Sequence, residues 1–117
     1  MAAQSLAELT EKVRRFAADR EWDQFHSPKN LAAALIVEAA EVLEHFQWLT
    51  EAESETLDIE RRKQVALELA DVLIYLVRLA DRLDVDLIAA TSEKLVLNAQ
   101  KYPIDRARGS NKKYSDL

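Results

Sequence analysis

The sequence predicts an all-α protein, a four-helix bundle-type subunit whose helices are shared across a homo-oligomer interface. Three observations carry this expectation. Apolar residues recur with the 3.6-residue period over most of the chain, and no convincing stretch alternates with the two-residue period of a strand. Breakers are scarce: one Gly and two Pro in 117 residues leave few places where a helix must stop. The second and third helical segments are apolar over so much of their circumference that a small monomer struggles to bury them, and a partner helix solves that problem. The length suits a single domain, 1–117, with residues 103–117 as a basic tail.

The elements follow in order. Leu6, Leu9, Val13 and Phe16 form the stripe of a first helix over Ser5–Arg20, and Ser5 with Glu8 reads as a capping box. Glu21–Pro28 is a polar loop, and Pro28 favours the start of a second helix running from Lys29 or Asn30 to Leu49. A polar connector, Thr50–Asp58, precedes a third helix over Ile59–Leu83. Asp86 opens a fourth helix that ends before Pro103, and the remaining residues read as an extended tail, ordered only if it docks.

Composition excludes several chemistries. Without Cys there are no disulfides, thiolate metal sites or thiol nucleophiles. Gly109 alone cannot build a glycine-rich phosphate loop. The net charge of −5 argues against a nucleic acid polymer as partner. Charge is uneven, however: residues 101–117 hold five basic and two acidic side chains, so the remainder is more acidic than the average. An acidic body with a basic tail suits a divalent cation and a small polyanion. No apolar run reaches membrane-spanning length and the N-terminus lacks a signal-peptide core, so a cytoplasmic location with no membrane partner is expected.

Acids stand where leucines belong. On a helical wheel at about 100° per residue, Glu38 falls inside the stripe of Leu31, Leu35, Val42 and Leu49, with Glu41 at its edge and His45 between them. Glu68 falls among Val65, Val72, Tyr75 and Leu79, with Asp71 beside it. Each helix thus offers an i, i+3 acid pair on a partly apolar face. Buried carboxylates are costly unless paired or metal-bound. A divalent cation is the simplest compensation, and oxygen donors select Mg²⁺ or Mn²⁺. A di-iron bundle needs Glu-x-x-His pairs, which the chain lacks. Solvated acid faces are the bland alternative, and Glu44, Glu51, Glu53 and Glu55 belong to it. His45 is either a support for the acids or an ordinary surface residue.

The pattern E-x-x-E, a gap of twenty-six residues between Glu41 and Glu68, then E-x-x-D, resembles the MazG-like all-α nucleoside triphosphate pyrophosphohydrolases. The words REWDQFHSPKNL, FQW, LELADVLIYL and NAQKYP are similar to the dCTP pyrophosphatase branch, and the likeness covers residues 5–114. The resemblance implies a Mg²⁺ site of Glu38, Glu41, Glu68 and Asp71 that converts a dNTP, dCTP or a modified dCTP, to the monophosphate and pyrophosphate for nucleotide pool cleaning. Glu38 and Glu41 are the catalytic candidates for handling the proton of the attacking water. Trp22 and Trp48 match aromatics around the nucleoside, and Asn98 and Tyr102 match polar pocket residues.

Lys94, Asn98 and Lys101 share one face of the fourth helix at i, i+4, i+7, with Tyr102 adjoining, a pattern fit for phosphate oxygens or for plain solvation. Phe16, Phe25 and Phe46 are expected in the core, and His26 in an exposed loop or at a pocket edge. Arg108, Lys112 and Lys113 either reach phosphates or dock on the acidic body. The expected partners are a nucleoside triphosphate and further copies of the chain, as a dimer or tetramer. A non-catalytic helical interaction module and a nucleotide-binding sensor are the competing readings.

Overall fold

A computed structural model describes residues 2–117. They contain helix and turn only, with no strand among them. The chain divides into two compact units, residues 1–84 and 85–117.

The first unit is built on three long helices. Helix α1 spans Leu6–Asp19, α2 spans Pro28–Glu44 and α4 spans Ile59–Arg82; a short helix α3, Glu51–Ser54, lies between the last two. Local chemistry sets each start. Ser5, Ser27, Thr50 and Asp58 each accept a hydrogen bond from the backbone N–H three residues on, which satisfies one orphan donor of the helix they open. Pro28 sits at the first position of α2, where its missing N–H costs nothing. The expected box at Ser5 is half formed, because Glu8 reaches back to the Gln4 N–H (2.7 Å) instead of that of Ser5.

Helix ends differ more from expectation. Glu21 adopts a left-handed φ of 55°, and Trp22 N–H returns to Ala17 O at 2.9 Å while Glu21 N–H bonds Ala18 O at 3.0 Å. This Schellman ending turns the chain back toward α1, and a 3₁₀ turn at Asp23–Phe25 then delivers it to Ser27. Helix α2 stops at Glu44, five residues before the Leu49 that periodicity suggested, and residues 45–48 are turns. The reason lies in a distant residue: the Arg61 guanidinium of α4 donates to His45 O (3.0 Å), satisfying a carbonyl that further helix would otherwise use. The polar connector holds α3, because Thr50 and Glu53 form a complete capping box.

Helix α4 is the axis of this unit, packing against both α2 and α1. Its core is small: Ala17, Leu31, Val65, Val77 and Ala80 are buried. Phe16 and Phe25, expected inside, are half or more exposed, since Phe16 packs edge-on against Trp22 and under the Arg20 guanidinium at the surface. Large apolar side chains remain uncovered on both main helices, among them Ile36, Val37, Leu43, Leu67 and Leu69.

In the second unit, Asp86 caps α5 (Leu87–Lys101) through its bond to Ala89 N–H, as the sequence indicated. The tail is less extended than expected. Helix α6 occupies Ile104–Ala107 and a 3₁₀ turn occupies Tyr114–Asp116. The Tyr114 ring packs edge-on against Tyr102 at 6.1 Å, and Lys101 Nζ lies 4.9 Å from its centroid, so the tail docks on the end of its own helix.

Candidate functional site: a carboxylate centre beside an aromatic cavity

Glu38 and Glu41 on α2 and Glu68 on α4 place carboxylate oxygens within 4.8 Å of one another. The i, i+3 spacing puts both α2 acids on the side that meets α4, and Glu68 answers from the facing helix. All three are half-buried, and Glu38 Oε2 and Glu68 Oε2 are buried with no hydrogen-bond partner. Burial, contact with Glu41 and repulsion from Asp71 and Glu68 push Glu38 up to about 7. Glu68 is also raised, first by a hydrogen bond shared with Glu41 and then by burial, against the opposing pull of His45. His45 Nε2 stands 3.8 Å from Glu68 Oε1, which makes it a neighbour of the acids and not only a surface residue.

Two buried carboxyl oxygens without partners are an unresolved cost for the protein alone. A cation that prefers hard oxygen donors would resolve it, and the donor set is carboxylates only. Asp71 is not in the three-acid cluster, but its charge acts on both Glu38 and Glu68.

Asp71 instead lines an adjoining cavity of about 240 Å³, whose walls include Phe16, Trp22, His26, Ile74, Tyr75 and Arg78. The cavity is mostly aromatic and apolar, with Asp71, His26 and Arg78 among its titratable or charged groups. Trp22 is its expected member. Trp48 is not: it sits on the turn after α2 and is 88% exposed in the single chain. Lys94, Asn98, Lys101 and Tyr102 belong to the second unit, on α5 and its end, where Asn98 O accepts the Tyr102 N–H at 2.8 Å.

Residue-pattern reasoning missed Arg78, the one buried charged side chain among the described residues. Its guanidinium donates to Asp23 through Nη2 and to His26 Nδ1 through Nε (3.1 Å), and lies 3.5 Å from Asp81. Asp81 in turn takes a two-pronged bond from Arg14 of α1, at 2.9 and 2.6 Å. A signal existed: Asp71, Tyr75 and Arg78 follow i, i+4, i+7 on one face.

The fold and the site define a class: an all-helical protein organised around carboxylates on two packed helices beside an aromatic cavity. The chain belongs to the MazG-like family, whose model matches residues 33–117. It is 48% identical to dCTP pyrophosphatase 1 of Rattus norvegicus and 47% identical to that of Homo sapiens, each alignment covering 92% of this chain. The chain spans 66% of the length of these relatives. The crystal structure of a pyrophosphatase from Archaeoglobus fulgidus superposes with a TM-score of 0.78 at 41% identity, over 88% of this chain and 96% of that one.

Proposed function

We propose that this chain is a Mg²⁺-dependent nucleoside triphosphate pyrophosphohydrolase that converts dCTP, or a base-modified dCTP, to the monophosphate and pyrophosphate, so removing it from the nucleotide pool. The names of the relatives supply the substrate class. The observation that carries the reading is the pair of orphaned oxygens, Glu38 Oε2 and Glu68 Oε2, in an acid cluster beside an aromatic cavity. A non-catalytic helical module gains nothing from buried, unpartnered carboxylates.

Glu38, Glu41, Glu68 and Asp71 are the residues that would hold the cation, with Mn²⁺ as a substitute for Mg²⁺. When bound, it supplies charge neutralisation for the phosphate oxygens and Lewis-acid activation of water. Glu38 and Glu41 are the proposed acceptors for the proton of the attacking water as the α–β phosphoanhydride bond breaks and pyrophosphate leaves. Trp22 offers an aromatic face to the base within the cavity. The family resemblance adds Trp48, Asn98 and Tyr102 as substrate-contact candidates, and helical spacing adds Lys94 and Lys101 for the phosphates. Self-association to a dimer or tetramer is part of the proposal, supported by the uncovered apolar residues of α2 and α4.

The test is pyrophosphate release from a panel of dNTPs and rNTPs with Mg²⁺ and with EDTA. Release that favours dCTP and stops with EDTA is expected. No release from any nucleotide in saturating Mg²⁺ or Mn²⁺ sinks the enzymatic reading and leaves a sensor or interaction module.

A further inference from the structure

His26 lines the cavity, and its Nδ1 accepts the Nε–H of Arg78 at 3.1 Å. A guanidinium has donors only and does not lose its proton, so this contact forces Nδ1 to be the bare nitrogen of the ring. The imidazole proton must then sit on Nε2, which has no hydrogen-bond partner among the described residues. Arg78 has little freedom to do otherwise. It is buried, and Asp23 and Asp81 hold its other nitrogens, with Asp81 itself held by Arg14. Burial and the Arg78 charge also hold His26 below the usual imidazole range.

We infer that Arg78 is a positioning residue that locks His26 as the Nε2–H tautomer, so that the cavity presents a fixed hydrogen-bond donor to an acceptor atom on the pyrimidine base. The inference rests on the proposed reading of the cavity as the base pocket. It gives the pocket a directional group that aromatic faces lack: stacking accepts any base, whereas a fixed donor penalises an edge without an acceptor. Trp22, edge-on to the His26 ring at 6.2 Å, limits its rotation.

The chain has only two histidines, so ¹⁵N-histidine labelling of the full protein gives two ring patterns, and His45→Asn identifies the one from His26. Wild type should show His26 bare at Nδ1 and protonated at Nε2 at neutral pH. An Nδ1–H ring, a tautomer mixture or an imidazolium there overturns the inference. In Arg78→Lys, which keeps a charge between Asp23 and Asp81, the ring should become a mixture and KM for dCTP should rise roughly tenfold, the scale of one lost hydrogen bond, with kcat held within a few fold. His26→Leu should raise KM similarly, and His26→Asn, which can offer an amide N–H, should recover part of the loss. Wild-type KM in His26→Leu and Arg78→Lys, with KM raised in Trp22→Ala, overturns the inference and leaves the base pocket standing. Wild-type KM in Trp22→Ala as well removes the pocket itself.

Discussion

Glu38 and Glu68 stand on different helices, yet they bring carboxylate oxygens within 4.8 Å of each other and each leaves its Oε2 buried without a partner. His45 lies 3.8 Å from Glu68 Oε1, but the two Oε2 atoms have neither solvent nor a donor to satisfy them. Their cost to the protein alone is offset once a cation is bound, which ties stability to function in one place.

The first prediction concerns the acids. Glu38→Gln or Glu68→Gln should lower turnover by ~10²–10⁴-fold in saturating Mg²⁺, the range for loss of a proton-handling group. The same changes remove one charge from a repelling cluster, so melting of the metal-free protein should rise by on the order of 3–5 °C. Wild-type turnover in both variants would disprove the acid site, whatever their stability.

Stability should also depend on pH in a defined direction. Glu38 is raised to about 7 from an ordinary value of 4.5, so the folded state favours its protonated form. The corresponding stability is fully present below the ordinary value and is lost as pH rises through about 7. Thermal melts of metal-free protein should fall by several degrees between pH 5 and pH 8, and Mg²⁺ should reverse most of the fall at the upper end. Glu38→Gln should flatten the profile. A flat wild-type profile in EDTA contradicts the prediction.

Assembly is the third. Ile36 and Leu67 are 71% and 68% exposed in the single chain, and their neighbours Val37, Leu43 and Leu69 are also uncovered. Sedimentation velocity at micromolar concentration should therefore show no major species at the 13.3 kDa of one chain. Leu67→Glu should shift the distribution toward that mass, because a charge in an apolar interface goes unpaired. A soluble wild-type monomer refutes the shared-helix architecture.

Base recognition is the fourth. Trp22→Ala should weaken every accepted dNTP by ~1–3 kcal/mol if its stacking resembles that of single-strand binders. Asn98→Ala should instead change the ranking of substrates, read as kcat/KM for dNTPs and their ribose counterparts. Trp48→Ala should raise KM as well; since Trp48 is 88% exposed in the single chain, that result would show that assembly brings it to a site. Unchanged constants in Trp22→Ala and Asn98→Ala place both residues outside the pocket.

Much of this was legible in the sequence because the signals are local. Ser5, Asp86 and Pro28 act on backbone groups within three residues, and the 3.6 period of α2 and α4 needs only the chain itself. Glu38 and Glu68 stood out because an acid inside an apolar stripe breaks the pattern that surrounds it. Where reading failed, the partner was remote. The end of α2 depends on Arg61, sixteen residues beyond His45, and the tail is ordered by Tyr114 meeting Tyr102.

The sequence by itself determined the helical class, most helix starts and the interruption of two apolar stripes by Glu38 and Glu68, since periodicity and capping are properties of short segments. The tertiary structure alone decided which acids converge, setting Glu38, Glu41 and Glu68 together while Asp71 joins the cavity wall. It also decided that Arg78 is buried and holds His26, a contact across fifty-two residues. The physical reason is common to both: burial and electrostatic coupling depend on which helix faces are brought together, and a one-dimensional pattern carries each face but not its neighbour.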